Sequence, residues 1–496
     1  MSTLPLAARG GALGKLLPIA HVFSKLIMLF SCMFIVPAGV GVIYKDHTLE
    51  AFLLSGVVGL AVGLFAWAAT RRFEHELKPR DGFILVVALW VGFAATAAIP
   101  FMLFDSSLSF TDAFFEAMSA LTTNGATVLF SLDVLPPAIN FWRHFMQWMG
   151  GMGIIVLAVA ILPLLGVGGM QVYKAETPGP MKDAKLAPRI TQAAKSLWTM
   201  YCILTVLCMA MLYMAGMSVF DAVCHGLSTV ALGGFSTRDT SVGHYDSLPI
   251  ELVIAGFTLL SATNYATHFL AWKKRSAAPY RIDTEFISMM LVILSSILML
   301  AVYLWWQGVY GLGESLRHVS FNLISIATAS GFASTDYGQW PLFVPVWMLF
   351  LSCFTACSGS VGGGIKMIRS LILFRQAQRE MTQLLHPQAI IPLKVNGRTM
   401  SDSVAFSVLG FIFVYILSVV VLTFVLLGSG LDFQTAASAI VSCINNAGPG
   451  LGEVGPAANY AGLNDFQTWV CSVAMLLGRL EIFTILILFT PAFWRK

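Results

Sequence analysis

The sequence predicts an all-α polytopic membrane protein: two amino-terminal spans, then four repeats of helix, re-entrant pore helix, glycine turn and helix in pseudo-fourfold order around a central pore. Three observations predict it. The 496-residue chain is 57% hydrophobic and only 11% charged, where a soluble chain carries about 25% charge. Apolar runs of roughly 20 residues recur along it, long enough to cross a bilayer. Between such runs a glycine follows a serine by six residues four times, at Ser119/Gly125, Ser228/Gly234, Ser325/Gly331 and Ser442/Gly448.

The four segments read AFFEAMSALTTNGAT (113–127), AVCHGLSTVALGGFS (222–236), VSFNLISIATASGFA (319–333) and AASAIVSCINNAGPG (436–450). Each combines about ten helix-forming residues with a glycine turn. Ten helical residues are too few to cross the hydrocarbon core, so each segment enters and leaves on one face. The remaining runs give ten spans. The first two, 18–44 and 49–70, form a hairpin, and the repeat units cover 82–166, 196–272, 283–374 and 401–493. The corresponding divisions of the chain are 1–75, 76–192, 193–278, 279–394 and 395–496.

Basic residues set the orientation. Arg71, Arg72, Lys78 and Arg80 follow the second span. Lys174, Lys182, Lys185 and Arg189 follow the first repeat, Lys273, Lys274, Arg275 and Arg281 the second, and Arg375, Arg379, Lys394 and Arg398 the third. The pore-turn side is nearly empty of them, so both termini are expected in the cytoplasm. That outer side instead carries Asp105, Asp112, Glu116, Asp133, Asp221, Asp239, Asp246, Asp336, Asp432 and Glu453. Carboxylates at a pore mouth would concentrate cations, although outer loops short of basic residues also follow from topology alone.

The residues before the glycines are Thr122-Thr123-Asn124, Ala231-Leu232-Gly233, Thr328-Ala329-Ser330 and Asn445-Asn446-Ala447, leading to Gly125, Gly234, Gly331 and Gly448. Side chains vary while the glycine stays, which fits coordination by main-chain carbonyls that replace an ion's water shell. None of these stretches contains the repeated carboxylates of a calcium or magnesium cage. The carboxyl ends of the half-helices would point to the membrane centre and favour a cation. The four serines are expected to hydrogen-bond or pack behind the turns.

One long helix is interrupted. Residues 355–366 read TACSGSVGGGIK, and Gly359, Ser360, Gly362, Gly363 and Gly364 are poor helix formers. Irregular backbone at membrane depth is tolerated where it is buried or lines water. This segment is expected to be a mobile gate below the turns, on the ground that no other repeat has such a break; a rigid kink is the competing reading. Arg479 sits inside the last span, where a charge costs about 2.5 kcal/mol or more. It is expected either to latch the broken helix through its carbonyls or to pair with Glu481. Lys366, ending the glycine run, is a weaker gate candidate expected to reach the cytoplasmic interface.

These motifs resemble the Trk/Ktr superfamily of potassium transport proteins, most closely its TrkH/TrkG-type membrane subunits. The residues that carry the resemblance are SALTTNGATVL (119–129), QWMGGMGIIVLAVAILPLLGVGGMQ (147–171), LSTVALGGFSTRD (227–239), CSGSVGGGIKMIR (357–369), SCINNAGPGLG (442–452) and LLGRLEIFTILILF (476–489). The resemblance implies potassium uptake, a homodimer in the bacterial inner membrane, and a cytosolic TrkA-like nucleotide-binding regulatory subunit. NAD or ATP would act through that partner, since GVGGMQ (166–171) lacks the lysine of a phosphate loop. The chain departs from the family at Asn124, where threonine is frequent, and at Leu232, where threonine is common.

Other classes are disfavoured. Net charge is +4 with no basic cluster suited to nucleic acid. The eight cysteines lie scattered in apolar segments, and Cys353 with Cys357 has no histidine or carboxylate to complete a metal set. No cofactor of its own and no enzyme activity are expected, because no catalytic pair stands at membrane depth. No cleavable signal peptide is evident in the amino-terminal stretch. A proton- or sodium-coupled symporter of the same fold is the alternative, with His225 and His318 on half-helices as its candidate titratable groups.

Overall fold

The structure, a computed structural model, describes residues 12–73, 77, 79–153, 187–395 and 398–495. Apart from a two-residue ladder, Lys394–Val395 against Arg398–Thr399, its regular elements are helices. In the leading hairpin α1 (Ala12–Cys32) breaks and continues as α2 (Ile35–Tyr44), then returns as α3 (Leu49–Thr70). The break lies just ahead of Pro37, whose ring crowds the carbonyl four residues earlier. The hairpin closes on small residues. Ser55, Gly59 and Gly63 lie buried on one face of α3, and a methyl group at Gly63 would come within 3.2 Å of the Ser24 carbonyl, the close approach that membrane helices use in place of a hydrophobic drive.

Repeat one comprises α4 (Pro79–Phe104), α5 (Phe110–Leu121) and α6 (Pro137–Trp148). Repeat two comprises α7 (Ala187–Met214), α8 (Val219–Ala231), α9 (Leu248–Ala262) and α10 (Tyr265–Lys274). Repeat three follows with α11 (Thr284–Trp306), α12 (Leu312–Ala327), α13 (Phe343–Ser352) and α14 (Met367–Leu385). Repeat four ends the chain with α15 (Asp402–Gly428), α16 (Phe433–Asn445), α17 (Asp465–Arg479) and α18 (Ile482–Leu486). Among the described residues six helical stretches are long and apolar enough to cross a membrane, or eight with two bent pairs counted as single spans. Of the other two expected spans, one runs from α6 through a π turn to Gly153 and then leaves the described residues. The other is divided between α13 and α14. Lys174, Lys182, Lys185 and most of the 147–171 motif also lie outside the described residues.

The half-helices α5, α8, α12 and α16 hold 12, 13, 16 and 13 residues, or about 18–24 Å against a core of about 30 Å. Their starts are written in sequence. Ser109 and Ser218 cap α5 and α8 by accepting the backbone N–H of Asp112 and Asp221, and Asp432 caps α16 through Thr435 N–H. Each helix that follows a turn packs on the half-helix of the next repeat: α6 on α8, α9 on α12, α13 on α16, and α17 back on α5. The order is cyclic, and it closes. One apolar core joins the hairpin with repeats one and four, and a second joins repeats two and three.

The interruption after α13 is not unique, contrary to the expectation. The helix after turn two bends by 97° between α9 and α10, and the helix after turn four bends by 111° between α17 and α18. What distinguishes repeat three is the length and glycine content of its break, residues 353–366.

Candidate ion pathway

All four turns are built alike. Two residues before each glycine the backbone is left-handed, at Thr123, Leu232, Ala329 and Asn446, with φ of 55°, 53°, 60° and 53°. The glycines take φ of 88°, 74°, 92° and 85°. Each half-helix therefore ends in a Schellman motif. The N–H of Asn124, Gly233, Ser330 and Ala447 donates to the carbonyl of Ser119, Ser228, Ser325 and Ser442 at 2.8, 2.8, 2.8 and 2.9 Å. The sixfold spacing of serine and glycine is thus the spacing of a helix stop followed by an extended turn. The serine side chains differ in use. Ser119 Oγ donates to Ala126 O (2.5 Å) and Ser442 Oγ to Gly448 O (2.7 Å), while Ser228 Oγ bonds His144 Nδ1 (2.6 Å).

The turns meet in a ring. A methyl group at Gly125 would run into Gly233 O, one at Gly234 into Ser330 O, one at Gly331 would lie 2.8 Å from Ala447 O, and one at Gly448 2.9 Å from Asn124 O. Each glycine is thereby needed twice, for its positive φ and for the neighbouring carbonyl against it. The four glycines also share one cavity of about 80 Å³, walled by Arg143, Arg238, Asp239 and Tyr460 among others.

The residues three before the glycines have their side chains turned elsewhere. Thr122 and Thr328 donate back into their own helices, to Met118 O and Ile324 O, and Asn445 is bonded by Tyr415 Oη (2.6 Å) and to Ser352 Oγ (2.9 Å). Ala231 at that position is buried. Two of their carbonyls, those of Thr328 and Asn445, abut the break. A methyl at Gly362 would lie 3.2 Å from Thr328 O, and one at Gly363 would overlap Asn445 O. The 353–366 segment is therefore seated directly against the carboxyl ends of α12 and α16. It is tied laterally: Cys357 N–H donates to Ala262 O (3.0 Å), Tyr265 N–H to Gly359 O (3.2 Å), and Ser358 donates to the Glu285 carboxylate through N–H (2.7 Å) and Oγ (2.6 Å). Gly359 and Gly364 have φ of 70° and 77°, and Ser360 Oγ donates to Cys357 O (2.6 Å).

Arg479 spans the space below the ring. It donates to Val361 O (3.0 Å) in the break, and to Gly150 O and Gly151 O (2.9 Å) in repeat one. The carbonyl contacts of the latch arrangement are thus present, while Glu481 pairs with Arg369 (3.0 Å). Lys366 folds back to donate to Gly362 O.

The acidic residues are mostly committed. Asp112, Asp221 and Asp432 belong to half-helix amino termini, Glu116 pairs with buried Arg143 (2.7 Å), Asp246 with Arg317 (2.8 Å), and Asp133 and Asp221 with Arg238 (3.3 and 3.2 Å). The carboxylates expected on this side are thus largely engaged in ion pairs and caps, because short loops need their polar groups to terminate helices. Sequence reasoning also missed Glu116, Arg143 and Gln147 as turn supports. Glu116 accepts Val128 N–H (3.1 Å), and Arg143 donates to Thr127 Oγ1 (3.1 Å) and Ser236 O (3.4 Å). The available signal was polar residues at positions 140, 143, 144 and 147 of a helix between apolar spans, a helical stripe.

A chain that crosses the membrane repeatedly and closes four re-entrant turns into one ring of backbone is, by architecture, a multi-pass ion transport protein. This chain belongs to the TrkH family: the family model, described as cation transport protein, matches residues 48–496. It is 45% identical over 480 residues to the Trk system potassium uptake protein TrkH of Salmonella typhimurium, covering 96% of this chain and 99% of the relative. It is 40% identical over 480 residues to TrkG of Escherichia coli, covering 96% and 98%. The crystal structure of the potassium transporter TrkH from Vibrio parahaemolyticus superposes with a TM-score of 0.87 at 43% identity, covering 97% of this chain and 99% of that one. The family transports cations and is not a family of enzymes.

Proposed function

We infer that this protein takes up potassium through the ring of turns, with the carbonyls of residues 122–125, 231–234, 328–331 and 445–448 acting as the selectivity filter. The observation that carries the reading is the cyclic contact of each filter glycine with the carbonyl of the next turn. A ring of main-chain oxygens can replace the hydration shell of a weakly hydrated monovalent ion. Potassium is named by the relatives' own descriptions. In this reading the chain divides into a hairpin and four pore repeats at the boundaries given above.

The 353–366 segment, with Gly359, Ser360, Gly362, Gly363, Gly364, Lys366 and Arg479, is read as the gate. Its backbone lies beneath two half-helices and is latched by Arg479. The excess of basic residues at 71–80, 273–281 and 375–398 supports reading that side, termini included, as the cytoplasmic face of the bacterial inner membrane. A homodimer and a cytosolic TrkA-like subunit, through which NAD or ATP would act, complete the proposed assembly. We favour conduction over proton coupling because His225 is engaged behind turn two, bonding Asp221 O (2.9 Å) and Ser236 Oγ (2.9 Å). His318 packs half-buried on Tyr310.

Rescue of a potassium-uptake-deficient bacterium at low external potassium tests the reading, followed by reversal potentials in mixed potassium and sodium. Failure to rescue by protein that reaches the membrane, or a reversal potential that follows the proton gradient, would overturn it.

A further inference from the structure

We propose that Gln147 is a positioning residue for ion discrimination: its amide, supplied by repeat one, fixes the Gly233 carbonyl in turn two. The proposal rests on the reading of the ring as an ion filter.

The helix α6 is held from outside by aromatics. Trp142 packs on Phe34 (4.9 Å between ring centroids) and donates to Ala97 O (3.2 Å). Its opposite face carries Asn140, Arg143, His144 and Gln147, spaced as one helical stripe and all fully buried or nearly so. That stripe serves the next repeat. His144 bonds the half-helix of turn two at Ser228 Oγ, Arg143 reaches Ser236 O, and Gln147 clamps the turn itself. Gln147 Nε2 donates to Gly233 O (2.5 Å), and Gln147 Oε1 accepts Phe235 N–H (3.3 Å).

Turn two alone has glycine at the position before the ring glycine, where the others have Asn124, Ser330 and Ala447. Gly233 is outside the left-handed region, so its backbone does not require glycine. The space does. The three atoms nearest to a methyl group at Gly233 are Cδ, Oε1 and Nε2 of Gln147. The amide of Gln147 therefore occupies the place that a side chain fills in the other turns. Two consecutive glycines would otherwise leave this peptide the freest of the four to rotate. A donor on its carbonyl and an acceptor two residues later hold it in one orientation. The same carbonyl abuts Gly125 of turn one, so its direction sets part of the ring's width. Discrimination between monovalent ions depends on the number and field of such oxygens.

The test uses the full-length protein in proteoliposomes, with potassium-to-sodium permeability ratios read from reversal potentials at matched protein amounts. Gln147→Leu is expected to keep potassium flux while the ratio falls about fivefold, the factor expected for loss of one hydrogen bond of ordinary net strength. Gly233→Ala is expected to lose flux through overlap with Gln147. The double variant Gly233→Ala/Gln147→Ala is expected to regain flux but keep the reduced ratio, since space returns and the donor does not. An unchanged ratio in Gln147→Leu, or a double variant no better than Gly233→Ala, overturns the proposal. Should Gln147→Leu fail to fold, the double variant decides alone. A wild-type protein without potassium current would instead overturn the filter reading on which the proposal rests.

Discussion

The carbonyl oxygen of Asn124 lies 2.9 Å from the point where Gly448 would carry a Cβ, so the last turn of the chain is seated on the first. Three analogous contacts run from turn one to two, two to three and three to four. Closure of the fourth converts a row of repeats into a ring, and it depends on a residue without a side chain in each turn.

Alanine at Gly125, Gly234, Gly331 or Gly448 meets two penalties. A left-handed backbone costs a non-glycine residue about 1–2 kcal/mol, and the methyl presses on the neighbouring carbonyl. Each variant is expected to lower potassium uptake by about tenfold or more, the factor that 1.4 kcal/mol brings. Gly256→Ala, where nothing lies within 4 Å of the added methyl, is expected to retain uptake. Rubidium uptake in cells with matched membrane levels separates the two outcomes.

Arg479 joins Val361 to Gly150 and Gly151 across the space below the ring. Hydrogen bonds to a charged group contribute about 1.5–3 kcal/mol each. If the segment moves aside to conduct, these bonds stabilise only the seated state. Arg479→Gln is then expected to raise the open fraction about tenfold or more, and removal of 359–364 is expected to do the same. Single-channel recording of each variant checks this; an unchanged open fraction in both would leave the segment a rigid kink.

The architecture was legible because the repeated elements carry their own signals. Ser109-x-x-Asp112 and Ser218-x-x-Asp221 are helix starts, the serine-to-glycine spacing is a helix stop with its turn, and the spans are apolar throughout. Partners distant in sequence were not legible. Nothing local tells that Asp221 and Asp133 will meet Arg238, or that Gln147 will serve turn two rather than turn one. The bends after Ala262 and Arg479 were also missed, because Thr263-Asn264 and Leu480-Glu481 contain no glycine or proline to mark them.

Glu116 and Arg143 form an ion pair with both side chains fully buried. Removing one partner of such a pair costs about 3–5 kcal/mol, because the other charge is left without compensation. Glu116→Leu and Arg143→Leu are each expected to lower thermal stability strongly in detergent, with the double variant less destabilised than the sum. Because Arg143 also stacks over Phe235 (4.1 Å), its single variant is expected to lose more than Glu116→Leu. Size-exclusion thermostability of the four proteins completes the cycle.

Arg238 lines the cavity over the ring and pairs with two carboxylates, Asp133 and Asp221. Burial alone would raise the Asp133 carboxyl, yet hydrogen bonds from Asp239 and the Arg238 guanidinium more than offset it, and Asp133 titrates below the usual aspartate range. The sign follows: a lowered value keeps the carboxylate charged until the pH falls through it, so wild-type uptake is expected to be flat from about pH 8 down to about pH 5, above the ordinary aspartate value near 4. Arg238→Gln removes a positive charge from the cavity wall and leaves the Asp133 and Asp221 carboxylates without their guanidinium partner. Cation concentration at the mouth then rises, and the apparent KM for potassium is expected to fall several-fold at low ionic strength. Without its guanidinium partner, Asp133 titrates at a higher pH than before, so the gain is lost earlier on acidification. Salt separates this from a structural effect, since screening shortens the Debye length to about 3 Å at 1 M and should abolish the difference in KM. A KM that does not move at low salt, or a shift that persists at high salt, would show that Arg238 supports the turn and does not tune its field.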